Sequence, residues 1–377
     1  MSDFEARNKY FDSLFANRDL RWMGQNTNHI PLPAAVRQAI EESVAADEFR
    51  AYAPPLGFEE LRAAIIDDLG LKGATAIVTD GGIEALYHVC HSETGPGGTF
   101  VTTDPGWKWP ALFSRAAGAE IIEIPIYDEA CGYHLWADQL AEKVDNRTRI
   151  IYLVDPNNPL GTCVPKDEIK KIAQVARSCG AILVHDCTYR HFADDHTLAW
   201  PYYPEKTLTI YSFSKWLGLA GLRVAALVGS PEMLAALSRA APNNLGSNVL
   251  SQRAALAGLR SKSEWFPTVQ QTQRSNQATI KAVVDKLPGF RLPVYPSNGN
   301  FLVVECIDAG LQPEAIVAEM QRHNIMVRQG AYHTARFGHR FIKVSTTVPT
   351  EWVTEFCKLL PAVAHQVRGR KENAALF

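Results

Sequence analysis

Seven short runs rich in apolar residues recur along the first 230 residues, and helix-like segments separate most of them. The runs show little alternation of polar and apolar residues, which is typical of strands buried on both faces. Such strands, joined by helices, predict an α/β fold with a mostly parallel seven-stranded sheet between helices. The runs are residues 76–79, 99–103, 120–126, 149–154, 181–186, 207–212 and 224–229.

The pattern changes after about residue 260. A long polar segment predicts an extended helix, and the shorter apolar runs and helices that follow it indicate a smaller α+β domain. The residues before Pro33 precede the first helix of the large domain and are expected to join the smaller one. The sequence therefore predicts an N-terminal segment at 1–33, a large domain at 34–262 and a small domain at 263–377.

Composition narrows the possible partners. The 377 residues carry a formal net charge of −2, so electrostatics gives no reason to expect nucleic acid or a membrane surface as partner. A small molecule is the default partner. The charged N-terminal residues lack the apolar region of a signal peptide, and no run of about 18 apolar residues predicts a membrane span.

Seven cysteines are scattered along the chain, and no two have the C-x-x-C spacing found in many zinc and redox sites. Their odd number and irregular spacing predict reduced thiols, a cytoplasmic location and no metal centre. Several lie beside apolar runs, where a cysteine usually serves as a small core residue.

Polar and aromatic residues follow the predicted strands one after another. Parallel sheets bind ligands at the carboxyl ends of their strands, and a double glycine that opens a helix suits a phosphate. Each feature alone also has an ordinary structural explanation, such as a turn, a helix cap or core packing. Their succession at one edge predicts a binding site formed by Gly81, Gly82, Ile83, Trp107, Asn158, Asp186, Tyr189, Ser212, Ser214, Lys215 and Arg223.

The segment YSFSKWLGLAGLR places Lys215 directly after a buried-looking strand, with two serines nearby and Arg223 eight residues later. Burying a lysine is costly unless a neighbouring group compensates its charge. A lysine at this place is therefore either a surface residue or a reactive group. An amine is the side chain that forms a reversible imine with an aldehyde.

These motifs resemble those of the fold-type I pyridoxal 5′-phosphate (PLP) enzymes in the class I and II aminotransferase family, above all its histidinol-phosphate aminotransferase branch. The resemblance covers nearly the whole chain. SFSKWLGLAGLR is similar to the family's Ser-x-Ser-Lys…Gly-x-Arg motif and is the most specific match. Further matching segments are GQNTNHIPLPAAV, AYAPPLGFEELRAAI, DPNNPLGT, HDCTY and PSNGNFLVVE.

The resemblance implies a role for each matching residue around a PLP cofactor. Lys215 would form the Schiff base and move the substrate's Cα proton, and Asp186 would pair with the ring nitrogen. Tyr189 and Asn158 would contact the ring's phenolic oxygen, and Trp107 would stack on the ring. The phosphate would be held by Arg223, Ser212, Ser214 and the amides around Gly81, Gly82 and Ile83. The resemblance also implies a homodimer, in which Tyr52 of the second subunit would reach the same phosphate.

The same resemblance implies an aminotransferase that moves an amino group from an amino acid or amino-phosphate to a 2-oxo acid. Its expected substrate contacts are Asn28, His29, Asn158, Arg328 and Lys343. The family usually has an arginine at the position of Lys343, and a lysine cannot form the same two parallel hydrogen bonds to a carboxylate. Three alternatives stay open: Lys343 binds the carboxylate as a point charge, Arg340 does so after a local shift, or Arg328 takes over.

The lysine also keeps a second reaction class open. Pocket geometry selects which bond breaks on this cofactor, so decarboxylation, elimination or cyclisation of an amino acid is the alternative function. A third class is a PLP-sensing transcription regulator, which needs an N-terminal winged-helix segment and a basic face. We expect neither feature, because the aminotransferase-like motifs begin within the first 30 residues.

Overall fold

The structure is a computed structural model that describes residues 3–239 and 243–372. Its strands, in chain order, are β1 (Arg21–Trp22), β2 (Thr75–Thr79), β3 (Thr99–Asp104), β4 (Glu120–Pro125), β5 (Thr148–Val154), β6 (Ile182–Asp186), β7 (Thr207–Ser212), β8 (Ala225–Gly229), β9 (Phe301–Glu305), β10 (Ile325–Met326), β11 (Arg328–Gln329) and β12 (Phe341–Ser345). Its α-helices are α1 (Asp3–Ala16), α2 (Ala34–Ala45), α3 (Glu59–Leu69), α4 (Gly82–Glu93), α5 (Trp109–Ala116), α6 (Ala137–Ala141), α7 (Lys166–Cys179), α8 (Pro231–Ser238), α9 (Val249–Arg260), α10 (Lys262–Val284), α11 (Pro313–Arg322) and α12 (Thr350–Gln366).

The central sheet contains seven strands in the order β2-β8-β7-β6-β5-β3-β4. The strands from β7 to β4 pair in parallel, whereas β8 runs antiparallel to both β7 and β2. Every residue of β3, β6, β7 and β8 is buried, as expected for strands that helices cover on both faces. The predicted α/β fold with a mostly parallel seven-stranded sheet is confirmed.

Local sequence explains where several helices begin and end. The Asn248 side chain accepts a hydrogen bond from the Ser251 amide at the start of α9, and Ser230 does the same for Met233 at the start of α8. At the other end, α7 stops at Gly180, whose φ of 72° is readily adopted only by glycine. Within the described residues, none of the helices is both long and apolar enough to cross a membrane.

A second, antiparallel sheet has the order β11-β12-β9. Its core includes Ile280, Leu302, Ile316 and Phe356, and Met23 from the N-terminal segment is buried among them. Since β1 also pairs with β10, the residues before Pro33 contact this smaller unit. The expected domain boundaries stay a prediction, and the outermost positions, 1 and 377, lie outside the described residues.

A buried carboxylate joins the two sheets. Glu305, on β9, accepts a hydrogen bond from the Tyr127 hydroxyl at 2.9 Å, and Tyr127 follows β4 of the central sheet. Arg291 and Arg340 also donate to Glu305. Because the carboxylate is almost inaccessible to water, these donors compensate its charge and fix the smaller sheet beside the larger one.

Candidate active site

A cavity of about 320 Å³ lies at the carboxyl ends of β5, β6 and β7, where the two sheets meet. Its walls come from segments far apart in the chain, including the N-terminal segment and the smaller sheet. Twelve of the sequence-predicted residues line it: Gly82, Ile83, Trp107, Asn158, Asp186, Tyr189, Ser212, Ser214, Lys215, Arg223, Arg328 and Lys343.

Lys215 lies in the turn after β7, and its neighbour Trp216 is fully buried. The Lys215 Nζ donates to the backbone carbonyl of Gln25 at 2.8 Å. Burial, together with the nearby charges of Arg223 and Arg328, lowers the pKa of Lys215 to about 8. A substantial fraction of this amine is therefore uncharged, and nucleophilic, slightly above neutral pH.

Asp186 ends β6 and is buried. Its Oδ1 accepts hydrogen bonds from Thr188, at 2.6 Å from Oγ1 and 3.1 Å from the amide nitrogen. Its Oδ2 accepts one from the Tyr152 hydroxyl at 2.7 Å. Burial raises the pKa of Asp186, and these donors counteract the rise by stabilising the carboxylate.

Tyr189 faces the same cavity, and its hydroxyl oxygen accepts a hydrogen bond from Asn26 Nδ2 at 3.0 Å. Burial raises the pKa of Tyr189, so the hydroxyl stays protonated. Asn26 has a left-handed backbone, with φ of 56°, and its amide donates to Ser345 Oγ. The sequence prediction named Asn28 and not Asn26 from the N-terminal segment, although GQNTNHIPLPAAV contains both asparagines.

An anion cradle closes one end of the cavity. The helix α4 begins at Gly82, so the first amides of the helix have no carbonyl partner within it. Gly81 precedes them with φ of 84°, and a Cβ at this position would lie 2.2 Å from Arg223 Nη2. Arg223 donates to the carbonyl oxygens of Ala220 and Asp80, and no carboxylate among the described residues neutralises it. Glycine at 81 thus brings the guanidinium against the helix terminus, a site suited to phosphate.

The opposite end holds two buried cations from the smaller sheet. Arg328 and Lys343 are register partners on β11 and β12. Arg328 lies 4.5 Å from the Tyr332 ring centroid, its Nε donates to Gly24 at 3.5 Å, and its Nη1 has no hydrogen-bond partner in the described part of the chain. Lys343 Nζ lies 3.4 Å from Asn158 Oδ1. Burial, with Arg328 and Lys215 nearby, lowers the pKa of Lys343 well below its usual value.

Four sequence-predicted residues lie outside the cavity lining. Gly81 supports the cradle from behind. The Asn28 side chain donates to the Trp216 carbonyl at 2.9 Å, and His29 contacts Thr27 and the Trp352 ring. Tyr52 is 81% exposed.

Arg340 is the third residue considered for binding the substrate carboxylate. Its Nε donates to Glu305 at 2.8 Å, so its charge is compensated by the carboxylate that joins the sheets. Other lining residues could not be predicted from sequence, because the course of the backbone and not a recognisable motif brings them to the cavity. They include Gly24, Gln25, Thr27 and Ala220.

His185, Cys187 and His196 form a buried cluster beneath the site. The Ala199 amide donates to His185 Nδ1 at 3.2 Å, so the other ring nitrogen of a neutral His185 carries the proton and faces Asp155. A protonated nitrogen has no lone pair for a metal. We therefore interpret the cluster as structural: His196 Nε2 lies 3.0 Å from the Asp155 backbone carbonyl oxygen, and His185 Nε2 lies 3.5 Å from the Asp155 carboxylate.

The cavity combines an amine of lowered pKa, a buried carboxylate and an anion cradle at the strand ends of an α/β sheet. An amine suits an aldehyde, the carboxylate suits a protonated ring nitrogen, and the cradle suits a phosphate. These residues fit PLP. Fold and site together define a fold-type I PLP-dependent enzyme.

The chain belongs to the family described as aminotransferase class I and II, whose model matches residues 18–360. Members of this family are PLP-dependent aminotransferases, and so is this protein. A histidinol-phosphate aminotransferase of Methanopyrus kandleri is 30% identical over 321 residues, which cover 81% of this chain and 79% of that protein. An aspartate aminotransferase of Pyrococcus horikoshii is 25% identical over 362 residues, 92% of this chain and 90% of the relative.

Solved structures share the fold. The N-succinyldiaminopimelate aminotransferase of Mycobacterium tuberculosis superposes with a TM-score of 0.84 at 20% identity, covering 96% of this chain and 99% of that one. The aspartate aminotransferase of Thermus thermophilus with maleate gives 0.82 at 20% identity, covering 96% and 97%. The predicted family, cofactor and amino-transfer activity are confirmed, and the alternative reaction class is not favoured.

Proposed function

We propose that Lys215 holds PLP in this cavity and that the substrate is an amino acid or amino-phosphate whose anionic group binds Arg328 and Lys343. The observation that carries the proposal is the position of these two cations across the cavity from the cradle, where neither has an acidic partner among the described residues. When bound, PLP makes the substrate's Cα proton acidic by drawing its electrons into the ring.

The chain supplies positioning and proton transfer. Lys215 has a lowered pKa, so near neutral pH its amine can accept a proton from the substrate and return it. Asp186 would pair with the ring nitrogen of PLP, and Tyr189 and Asn158 would hold the ring's phenolic oxygen. Trp107 would pack on the ring face, while Arg223, Ser212, Ser214 and the amides around Gly82 and Ile83 would hold the phosphate.

The substrate end favours an anion over a neutral group. A buried cation without a counter-ion is costly, and a carboxylate or phosphate between Arg328 and Lys343 would relieve this cost. The relatives named above act on histidinol phosphate and on aspartate, which carry phosphate and carboxylate groups. Aromatic side chains form the neighbouring wall, and they are Phe11, Trp107, Trp109 and Tyr332.

We also propose a homodimer in which Tyr52 reaches the phosphate of the other subunit's cofactor. Tyr52 is exposed in the single chain, as are Phe49, Leu56 and Leu245. Gly246 packs against the backbone of Ala53, so Leu245 lies close to this group. A cluster of exposed apolar side chains suits burial by a second copy. Seven free cysteines support a reducing, cytoplasmic location.

Borohydride reduction followed by peptide mapping tests the cofactor assignment. We expect the label on Lys215 of the yellow holoenzyme and on no other lysine. A label elsewhere, or a protein that takes up no PLP, would contradict the proposal.

A screen of single half-reactions tests the substrate assignment. Holoenzyme is mixed with individual amino acids and amino-phosphates, without an acceptor, while its visible absorbance is followed. Stoichiometric conversion that needs a 2-oxo acid for reversal indicates amino transfer. Repeated turnover without an acceptor would instead indicate decarboxylation, elimination or cyclisation.

A further inference from the structure

Tyr152 lies directly behind Asp186, the residue proposed to face the ring nitrogen of PLP. The register of β5 and β6 pairs Tyr152 with Val184 and Val154 with Asp186. Residues two apart on a strand share a face, so Tyr152 and Asp186 are diagonal neighbours on one face of the sheet. The 2.7 Å hydrogen bond from the Tyr152 hydroxyl to Asp186 Oδ2 follows from this register.

The tyrosine is held in place by its surroundings. Its side chain is 1% exposed, and its ring stacks on Phe100 of β3 with centroids 6.1 Å apart. Burial and the neighbouring Asp186 carboxylate raise the pKa of Tyr152 well above its usual value, so its hydroxyl remains a donor. Among the described residues, it is the donor to Oδ2, whereas Thr188 serves Oδ1.

A carboxylate that faces a ring nitrogen shares one proton with it. Burial favours the uncharged form of the acid, and alone it would draw the proton from the nitrogen to Asp186. Hydrogen bonds donated to the carboxylate have the opposite effect, because they stabilise its charged form. The donors to Asp186 therefore influence where the proton resides.

We propose that Tyr152, assisted by Thr188, is a positioning residue that keeps Asp186 ionised and the shared proton on the ring nitrogen of PLP. This inference rests on the proposed pairing of Asp186 with that nitrogen. Tyr152 is not part of the cavity lining, so it acts through Asp186 and not on the substrate.

Tyr152→Phe tests the inference because it removes the hydroxyl and retains the ring that stacks on Phe100. Holoenzyme is prepared with PLP labelled with ¹⁵N at the ring nitrogen, and the NMR shift of that nitrogen reports its protonation. We expect the signal to move toward the unprotonated position. Turnover should fall about 10- to 100-fold, the equivalent of one lost charge-assisted hydrogen bond, with little change in KM.

Tyr127→Phe is the matched control. It also removes a buried hydroxyl that donates to a buried carboxylate, here Glu305 at 2.9 Å, but this pair lies outside the cavity lining. Its loss should reduce thermal stability while leaving the nitrogen signal unchanged. A general effect of weakened packing would instead move the signal in both variants.

An unchanged nitrogen signal in folded Tyr152→Phe holoenzyme would overturn the inference. If that variant does not fold, Thr188→Val removes the hydroxyl donor at Oδ1 with nearly the same volume, and an unchanged signal there has the same meaning. Asp186→Asn distinguishes a failure of the role of Tyr152 from a failure of the proposed pairing between Asp186 and the ring nitrogen. If Asp186→Asn alters the signal and Tyr152→Phe does not, only this inference fails; if neither alters it, the proposed pairing of Asp186 fails as well.

Discussion

The two ends of the cavity differ in how their charges are compensated. At the cofactor end, Asp186 accepts three hydrogen bonds from Tyr152 and Thr188. At the substrate end, no acidic side chain in the described part of the chain pairs with Arg328 or Lys343, and burial lowers the pKa values of both. The Asp186 carboxylate is compensated by hydrogen bonds from the protein itself, whereas the two buried cations, like Arg223 in the cradle, are compensated only by an anion from outside.

The largest loss of turnover is expected from removing the Lys215 amine, which lies between the cofactor end and the substrate end. Lys215→Ala removes the group proposed to hold PLP and to move the Cα proton, so turnover should fall by at least about 10⁴-fold. Single-turnover absorbance measurements would show it. The control is Lys206→Ala, since Lys206 Nζ donates to a backbone carbonyl of Gly180 far from the cavity lining. If Lys215→Ala kept wild-type turnover, this cavity would not be the active site, and its two ends could not be compared as cofactor and substrate sites.

Arg223→Ala tests the cofactor end. Its loss removes a charge-assisted contact worth about 1.5–3 kcal/mol, so the affinity for PLP should fall by roughly 10- to 100-fold. Equilibrium titration of the apoenzyme with PLP measures this. Arg260→Ala serves as control, because it breaks an exposed ion pair with Glu60. Equal PLP affinity in both variants would mean that Arg223 does not hold the phosphate.

The pH dependence of carboxylate binding tests the role of Lys343 at the substrate end. Its lowered pKa means that the amine loses its proton as pH rises through a range where a free lysine stays charged. Binding of an unreactive carboxylate, such as 3-phenylpropionate, should therefore weaken as pH rises in wild-type holoenzyme. In Lys343→Arg this loss should be smaller, since arginine stays charged. Lys343→Met should bind about 10-fold more weakly, one lost charge-assisted contact.

Calorimetry of the carboxylate at a series of pH values measures these affinities in each holoenzyme. Any titration of the linkage between Lys215 and the cofactor is common to all variants, so the difference between wild type and Lys343→Arg isolates Lys343. Lys281→Met, at an exposed helix position, is the control. An unchanged affinity in Lys343→Met would exclude the carboxylate role and direct the same experiment to Arg328→Ala.

The smallest effect is expected at Tyr52. Tyr52→Phe removes one hydrogen bond to the cofactor phosphate of the other subunit, worth about 0.5–1.5 kcal/mol, so PLP affinity should fall a few-fold. Tyr87→Phe, another exposed tyrosine, is the control. Sedimentation of both variants checks that they remain dimeric. A monomeric wild-type protein would contradict the role of Tyr52 outright.

Much of the cofactor end could be predicted from sequence, because it is built from residues that directly follow strands. Asp186 ends β6 and Ser212 ends β7, and a buried strand is visible in the apolar pattern. Tyr152 could not be found this way: within an apolar run it resembles an ordinary core residue, and its role depends on the register of two strands.

The N-terminal contribution was also beyond the sequence pattern. The resemblance indicated Asn28, but in the structure Asn26 donates to Tyr189 and Asn28 holds the Trp216 carbonyl. The choice between two asparagines two residues apart depends on the left-handed backbone at Asn26, and neither residue type nor spacing specifies that conformation.

The antiparallel direction of β8 has a consequence for the order in which the site can assemble. Ser212 of β7 pairs with Ala225 of β8, so the chain turns back over a short connection that contains both Lys215 and Arg223. Closing a short loop costs little entropy, whereas bringing together residues hundreds of positions apart requires the whole fold. The amine and the guanidinium can therefore be near each other in a chain that is still partly folded, while the pair of Lys343 and Asn158 exists only after the last elements have docked.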